Sequence, residues 1–232
     1  MLPADLAGWL AHIERLHPST IEMGLERVVQ VRDALGVPKT CPIFVVGGTN
    51  GKGSTCAMLE AILLAAGYRV GTYTSPHIRR YNERVRIDGR EATDAALSEG
   101  FAAVEAARGK VPLTYFEFGT LAAWATFARA KLDALVMEIG LGGRLDAVNA
   151  FDPDCSILTS VDMDHMEYLG STREQIGWEK AHIFRARRPA ICGDPLPPAT
   201  VGEVAAAIGA DLQAIGRDFG YEGDRQQWRY WG

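Results

Sequence analysis

Cysteine, aromatic residues and long apolar runs are all scarce in this sequence of 232 residues. The four cysteines are widely spaced and form no C-x-x-C pair, which predicts buried thiols of a reducing compartment. The longest apolar helical pattern, at 57–66, is interrupted by Glu60 and is too short to span a bilayer. The first residues lack the basic and apolar regions of a signal peptide. We therefore expect a cytoplasmic protein.

Basic residues are also fewer than acidic residues. The 24 Lys and Arg residues are outnumbered by 29 Asp and Glu residues, which gives a formal net charge of −5. This balance argues against general affinity for nucleic acid or anionic membranes, so any anion site must concentrate positive charge locally. Hydrophobic residues make up 47% of the chain although only 9% are aromatic. That share suffices for the core of one sizeable α/β domain.

A glycine-rich stretch carries the strongest functional signal. The apolar run 43–46 predicts a strand, 57–64 predicts a helix, and glycines, a lysine and hydroxyls lie between them. Glycines let backbone N–H groups turn inward, and a helix start adds free N–H groups, so this loop predicts phosphate binding. Lys52 would pair with the terminal phosphates, and Ser54 or Thr55 would offer a hydroxyl to magnesium. The predicted cradle consists of Gly48, Thr49, Asn50, Gly51, Lys52, Gly53, Ser54 and Thr55.

The spacing of this loop departs from the commonest P-loop pattern, G-x-x-x-x-G-K-[ST]. Val46 stands at the position of the first glycine, and Gly53 separates the lysine from the hydroxyls. An ordinary turn between a strand and a helix is the alternative interpretation. The strand before the loop, the helix after it and the placement of Lys52 favour phosphate binding.

Strands alternate with helices along the chain, which predicts an α/β fold with a three-layer, mostly parallel sheet flanked by helices. Ligands of such sheets collect at the carboxyl ends of the strands. The loop of Lys52, together with Ser75, Glu138 and His165, follows four different predicted strands. A hydroxyl, a carboxylate and an imidazole beside phosphates suit magnesium or manganese better than a structural zinc. Taken singly, these three side chains could equally belong to a turn, a solvated strand end and a loop.

A buried lysine is the last prediction from spacing. Ser171 and Glu174 have capping-box spacing and predict a helix that continues to about Phe184. On this helix Lys180 lies four residues after Ile176 and four before Phe184, so it shares their core-facing stripe. The alternative is that its stem is buried and its ammonium reaches water. Burial of the amine would instead lower its pKa and favour the neutral form.

Several segments, in order, resemble the Mur-type ATP-dependent amide ligases, specifically the folylpolyglutamate synthase and dihydrofolate synthase branch. These segments are G-T-N-G-K-G-S at 48–54, T-S-P-H at 74–77, L-T-Y-F-E at 113–117, E-I-G-L-G-G-R-L-D at 138–146 and E-K-A at 179–181. The resemblance extends over about 21–195 and implies a P-loop NTPase-like Mur ligase ATP-binding domain. In that family ATP phosphorylates a substrate carboxylate, and the amine of glutamate attacks the acyl phosphate. No covalent enzyme nucleophile is needed.

The resemblance also implies roles for individual residues. The positions that match catalytic residues are Lys52, Lys180 and His165. Metal contacts match Ser54, Ser75, Glu138, His165 and Lys180. Two Mg²⁺ ions are expected, and the lysine that matches Lys180 carries a carbamate that helps to hold the second ion. The positions that match the pterin pocket are Gly24, Leu25, Thr114, Phe116 and Asp146, with the aspartate near the pterin ring.

The expected substrates are ATP, dihydropteroate or a reduced folate, and L-glutamate, and a monomer without nucleic-acid or membrane partners is expected. By resemblance, residues 1–216 are an incomplete ATP-binding ligase domain. Residues 217–232 are a truncated tail, either the start of an unfinished sheet or a loose end, and the family's C-terminal ligase domain has no counterpart. The alternative function is a P-loop nucleotide-binding or hydrolase module that forms no amide bond. The combination of Glu138, the glycine loop at 140–146 and Lys180 favours the ligase.

Overall fold

The structure, a computed structural model, describes residues 2–17, 19, 21–224 and 226–232. Its main sheet is built from β1 (Ile43–Gly47), β2 (Val70–Tyr73), β3 (Val85–Ile87), β4 (Arg90–Glu91), β5 (Ala134–Glu138), β6 (Cys155–Leu158), β7 (Pro189–Cys192) and β8 (Asp211–Ala214). The strand order is β4-β3-β2-β5-β1-β6-β7-β8. All neighbours from β2 to β8 pair in parallel, whereas β3 and β4 are antiparallel at one edge. The predicted mostly parallel sheet is confirmed.

Helices cover both faces of this sheet. They are α1 (Leu6–Ile13), α2 (Glu26–Leu35), α3 (Lys52–Ala65), α4 (Asp94–Arg108), α5 (Tyr115–Phe127), α6 (Met166–Leu169), α7 (Arg173–Ala181) and α8 (Ala199–Ile208). Single 3-10 turns lie at Tyr81–Arg84 and Ala147–Ala150. Within the part of the chain that the structure describes, no helix has both the length and the apolar character that crossing a membrane requires.

The hydrophobic core has two parts, one on each face of the sheet. The larger cluster joins α4, α5, α7 and α8 to the sheet, and α5 lies so deep that every residue from 117 to 127 is buried. A helix buried on all sides must be mostly apolar, and apart from Glu117, Thr120 and Thr126 this stretch is. The smaller cluster lies under α3 and contains Val46, Cys56, Val70 and Val136. The helix that follows the phosphate loop is thereby packed against the central strands.

Side-chain caps begin four of the helices named above, α1, α4, α5 and α7. Asp5 accepts a hydrogen bond from Gly8 N, Thr93 accepts one from Ala96 N, and Thr114 and Glu117 form a capping box.

The predicted cap of α7 is wrong by one residue. Thr172, and not Ser171, is the N-cap, and Gln175, and not Glu174, closes the capping box. The reason is that the side-chain oxygen of Gln175 accepts hydrogen bonds from the backbone N–H groups of both Ser171 and Thr172. An amide oxygen can fill this position as well as a carboxylate can. The helix ends at Ala181, although Phe184 is still buried, as its place in the stripe predicted.

The last described residues form a hairpin. Strands β9 (Gly220–Gly223) and β10 (Trp228–Trp231) pair antiparallel in a sheet of their own. The prediction here left open an unfinished sheet segment or a loose end, and the structure shows paired strands. The side chains of Tyr221, Trp228 and Tyr230 on this hairpin are exposed.

Candidate functional site

The loop between β1 and α3 has the backbone geometry of an anion site. Gly51, the N-cap of α3, has a φ of 83°, a left-handed conformation that favours glycine. The N–H groups of the next residues start the helix, where intrahelical partners are absent by geometry. Among the described residues, no acceptor is bonded to the N–H groups of Gly51, Lys52, Gly53 or Ser54. Four free donors at a positive helix end are therefore available to an anion.

Lys52 lies over the inner side of this loop. Its Nζ donates hydrogen bonds to the carbonyl oxygens of Gly48 at 2.9 Å and Thr49 at 3.2 Å. The side chain is half-buried and lines a cavity at the loop. Both carbonyl groups are neutral acceptors, so the ammonium retains a charge that a phosphate oxygen would neutralise.

Glu138 and Ser75 meet beneath the phosphate loop. Oε2 of Glu138 accepts a hydrogen bond of 3.0 Å from the backbone N–H of Ser75. A Cβ added to Gly53 would lie 3.9 Å from Oε1 of Glu138, so the carboxylate faces the start of α3. Burial raises the pKa of the Glu138 carboxyl, and the hydrogen bond from Ser75 and the charge of Lys52 lower it. The carboxylate therefore lies buried within reach of the phosphate loop.

His165, which follows β6, and Lys180, on α7, approach the same edge. The Lys180 side chain is buried, with 2% of the residue exposed, so the alternative in which its ammonium reaches water is wrong. Burial, and then the charge of Lys52, lower its pKa from 10.5 to about 8. His165 has a left-handed backbone with a φ of 44° and remains accessible in the cavity.

One cavity of about 430 Å³ joins the phosphate loop to the predicted pterin pocket. Predicted site residues that line it are Gly24, Thr49, Lys52, Ser75, Thr114, Phe116, Asp146 and His165. Residues that line it without having been predicted include Met23, Arg84, Glu117, Leu141 and Leu145. Residues predicted to bind phosphate and residues predicted to bind the pterin therefore line the same cavity.

The glycine loop at 140–146 is held on α7 by its backbone and by an ion pair. A Cβ added to Gly143 would lie 2.7 Å from the carbonyl oxygen of Glu179, and Arg144 Nη2 lies 2.9 Å from Oε1 of Glu179. Asp146 closes the loop, because its carboxylate accepts hydrogen bonds from the backbone N–H groups of Leu141 and Val148. Burial raises the pKa of Asp146 to about 7.

The sequence model of the family described as Mur ligase middle domain matches residues 46–192. The chain belongs to the Mur ligase middle domain family. The matched span contains the phosphate loop, Glu138, the glycine loop and Lys180 of this Mur ligase domain.

Individual relatives are similar over nearly the whole chain. The dihydrofolate synthase/folylpolyglutamate synthase of Escherichia coli (strain K12) is 51% identical over 228 residues, 98% of this chain and 54% of the relative. The structure of E. coli FolC in complex with DHPP and ADP has a TM-score of 0.97 and 50% identity, covering 99% of this chain and 56% of that chain. The structure of a bifunctional folylpolyglutamate synthase/dihydrofolate synthase with Mn, AMPPNP and L-glutamate bound has a TM-score of 0.93 and 49% identity. The match covers 100% of this chain and 57% of that chain. The chain spans about half the length of these proteins.

Glu117 and Arg84 are among the charged residues at the cavity of the Mur ligase domain that were not predicted as site residues. Glu117 belongs to the capping box of α5, and its buried carboxylate also pairs with Arg27, at 2.9 Å from Nη2. A glutamate at capping-box spacing before a mostly apolar helix was the available signal. Arg84 lies against the rings of Tyr81 and Tyr115, and its Nε donates to His77 Nδ1 at 2.8 Å. No spacing in the sequence indicates Arg84.

The structure places Leu25 differently from the other predicted pocket residues of the Mur ligase domain. Leu25 is the N-cap of α2, packs against the main core and does not line the cavity, whereas Gly24 does. The glycine immediately before the helix is therefore open to the cavity, while the leucine side chain contributes to packing.

Proposed function

We propose that this chain is the nucleotide- and pterin-binding part of an ATP-dependent amide ligase. The ligase would join L-glutamate to dihydropteroate, to folate polyglutamates or to both, through an acyl-phosphate intermediate. The observation that carries this proposal is the single cavity that Lys52 of the phosphate loop shares with Thr114 and Asp146. Relatives of about twice the length carry the synthase names, and solved relatives contain DHPP, nucleotide, Mn and L-glutamate.

The nucleotide would bind at the start of α3. The free N–H groups from Gly51 to Ser54 and the ammonium of Lys52 would hold its phosphates, and the positive helix end adds to their effect. Lys52 would exchange its carbonyl acceptors for the oxygens of the transferring phosphoryl group. Catalysis of such transfers rests on positioning and on stabilisation of charge, which these groups can supply without a covalent intermediate on the enzyme.

The residues at this edge fit magnesium. The described residues contain no group of three or more His, Cys, Asp or Glu side chains that could hold an ion. Glu138 and His165 would therefore share an ion with the hydroxyls of Ser54 and Ser75 and with phosphate oxygens, a pattern typical of Mg²⁺. Bound magnesium would neutralise charge on the phosphates. We propose a second ion at Lys180, whose buried amine would carry a carbamate.

The other end of the cavity would hold the pterin. Phe116 and Leu141 supply apolar surface, and the carboxyl of Asp146 offers hydrogen bonds to ring nitrogens. A pterin substrate bound in this way would place its carboxylate toward the phosphate loop. Our proposed domain limits follow the resemblance, with residues 1–216 as the ATP-binding part. Cytoplasmic location and a monomeric state remain predictions.

Binding measurements on this chain test the proposal. Isothermal titration with ATP and Mg²⁺, and separately with dihydropteroate, should detect both ligands. Lys52→Ala should lose the nucleotide and keep dihydropteroate, whereas Phe116→Ala should do the reverse. A chain that binds ATP but not dihydropteroate would favour the alternative nucleotide-binding or hydrolase module. In a protein with the full length of its relatives, formation of ADP should require both dihydropteroate or folate and L-glutamate.

A further inference from the structure

The residues that follow β6 contact the phosphate loop from the neighbouring strand. Thr159 comes directly after β6, and its Oγ1 lies 2.6 Å from the carbonyl oxygen of Asn50 and 3.1 Å from that of Gly47. The hydroxyl has one proton, which the shorter distance assigns mainly to Asn50. The two segments are brought together because β1 and β6 are adjacent parallel strands.

Ser160 holds the same part of the loop by both its backbone and its side chain. Its carbonyl oxygen accepts a hydrogen bond of 2.8 Å from Thr49 N. Its Oγ accepts one of 3.0 Å from Asn50 N and lies 3.2 Å from the Asn50 carbonyl oxygen. The polar backbone groups of Asn50 are thus satisfied by Thr159 and Ser160 together.

Gly48 makes this close approach possible. It has a φ of 142°, and a Cβ added to it would overlap Oγ1 of Thr159 and lie 3.1 Å from the backbone nitrogens of Thr159 and Ser160. A side chain at position 48 would therefore push the two segments apart. The glycine at this position is required by the contact with the segment after β6.

These contacts decide which loop residues face an anion. The N–H groups of Thr49 and Asn50 are directed at Ser160, so they are not available to a phosphate. The N–H groups from Gly51 to Ser54 point elsewhere and have no acceptor in the described part of the chain. Within the predicted cradle, the N–H groups of Thr49 and Asn50 are therefore held by protein, and, among the described residues, those from Gly51 to Ser54 remain free.

The contact continues toward His165. Oγ1 of Thr49 accepts a hydrogen bond of 3.0 Å from Asp162 N and lies 3.2 Å from the Asp162 carbonyl oxygen. The 159–162 segment therefore touches the phosphate loop at three of its four residues, and His165 follows three residues later. One short segment sets the position of the loop and leads into a proposed metal ligand.

We propose that Thr159 and Ser160 are positioning residues that hold the phosphate loop in its anion-binding shape before nucleotide arrives. A loop that is already ordered does not lose conformational freedom on binding, so preorganisation of this kind increases affinity. The proposal rests on the proposed function for the identity of the ligand. The contacts themselves do not depend on it.

Variants that remove single hydroxyls test this role. Thr159→Val and Ser160→Ala should each weaken the affinity for ATP with Mg²⁺ by about 2- to 12-fold, the range that corresponds to one hydrogen bond. Thr159→Ser keeps the hydroxyl and should bind ATP as the parent does. Thr200→Val is the matched control, because the Thr200 hydroxyl also donates to a backbone carbonyl, that of Glu174 at 2.8 Å, away from the loop. It should leave ATP affinity unchanged.

Amide hydrogen exchange on the nucleotide-free protein provides a second measurement. The amides of Thr49 and Asn50 should exchange faster in Thr159→Val and Ser160→Ala than in the parent or in Thr200→Val. Unchanged exchange and unchanged ATP affinity in both variants would overturn the proposal, as would equal losses of affinity in Thr200→Val. If Thr159→Val does not fold, Ser160→Ala decides, because it removes one half-buried oxygen atom.

The two proposals fail in different ways. A parent chain that does not bind ATP would overturn the proposed function, and the exchange rates at Thr49 and Asn50 would still decide the role of Thr159 and Ser160. A parent that binds ATP, with variants that match it in affinity and exchange, would overturn only the positioning role.

Discussion

The carboxylate of Glu138 accepts a hydrogen bond of 3.0 Å from the backbone N–H of Ser75, a residue 63 positions earlier in the chain. The two residues meet because β5 and β2 are adjacent parallel strands whose carboxyl ends lie at the same edge of the sheet. The carboxylate is thus oriented by the backbone, with its other oxygen toward the start of α3. This pair is the fixed part of the proposed magnesium site.

Replacing Glu138 should therefore weaken metal binding. Glu138→Gln retains an oxygen that can accept from Ser75 N, but it removes the negative charge. We expect the affinity for Mn²⁺ in the presence of AMPPNP to fall about tenfold or more, because a hard cation loses its charged oxygen. Titration followed by electron paramagnetic resonance measures this, with His165→Ala as a second ligand variant. Glu203→Gln, on the exposed side of α8, is the control. Equal affinity in Glu138→Gln and the control would contradict the site.

Lys52 should matter for nucleotide binding far more than for folding. Its Nζ contacts only loop carbonyls among the described residues, so Lys52→Ala should change the free energy of unfolding by about 1 kcal/mol or less. Affinity for ATP should fall about 10- to 100-fold, because a charged hydrogen-bond donor to phosphate is lost. Calorimetric titration and thermal unfolding give the two values. Lys110→Ala, an exposed lysine, should change neither.

A carbamate on Lys180 can be detected directly. Its pKa of about 8 leaves far more neutral amine near neutral pH than an ordinary lysine has, and only the neutral amine reacts with carbon dioxide. Carbon-13 NMR of protein in labelled bicarbonate and Mg²⁺ should show a carbamate signal that Lys180→Ala lacks and Lys110→Ala retains. Short carboxylates should partly restore metal binding to Lys180→Ala. Full metal binding by a protein without the signal would limit Lys180 to a structural or electrostatic role.

Asp146 should make stability depend on pH. Its pKa is about 7 in the folded protein against an ordinary 3.8, so its contribution is fully present below about pH 4 and is lost as pH rises through 7. The unfolded chain releases this proton first, which gives a slope of up to about 1.4 kcal/mol per pH unit between these values. Asp146→Asn cannot titrate, and its stability should fall less from pH 4 to 7 than that of the parent. Denaturant unfolding at several pH values measures the difference, and parallel profiles would contradict it.

Glu117 and Glu22 both pair with Arg27, but their surroundings differ. The Glu117 side chain is 4% exposed and that of Glu22 is 45% exposed. Glu117→Ala should cost about 3 kcal/mol or more, because it leaves a partly buried guanidinium without its main partner and removes a cap. Glu22→Ala should cost about 1 kcal/mol or less, as exposed ion pairs do. Urea unfolding of the two variants tests the ratio, and similar losses would show that burial of the pair is unimportant.

Features that depend on a few neighbouring residues could be predicted from the sequence. The hairpin at Asp88 and the caps at Thr93 and Thr114 follow from turn and capping chemistry, and the structure has all three. The cap of α7 was predicted one residue early, because Ser171 with Glu174 and Thr172 with Gln175 have the same spacing. The reciprocal hydrogen bonds between Thr172 and Gln175 distinguish the two pairs in the folded chain.

The sequence by itself determined the phosphate loop and the place of Lys180 on the core-facing side of its helix, since both depend on spacing within one strand, loop or helix. The tertiary structure decided which distant residues complete the site. Arg27 meets Glu117 and Thr159 meets Asn50 across about 90 and 109 residues. Those meetings depend on strand order, with β1 between β5 and β6, and on the packing of α2 against α5. Local patterns encode the period and ends of an element but not its neighbours, so these contacts became visible only in the folded chain.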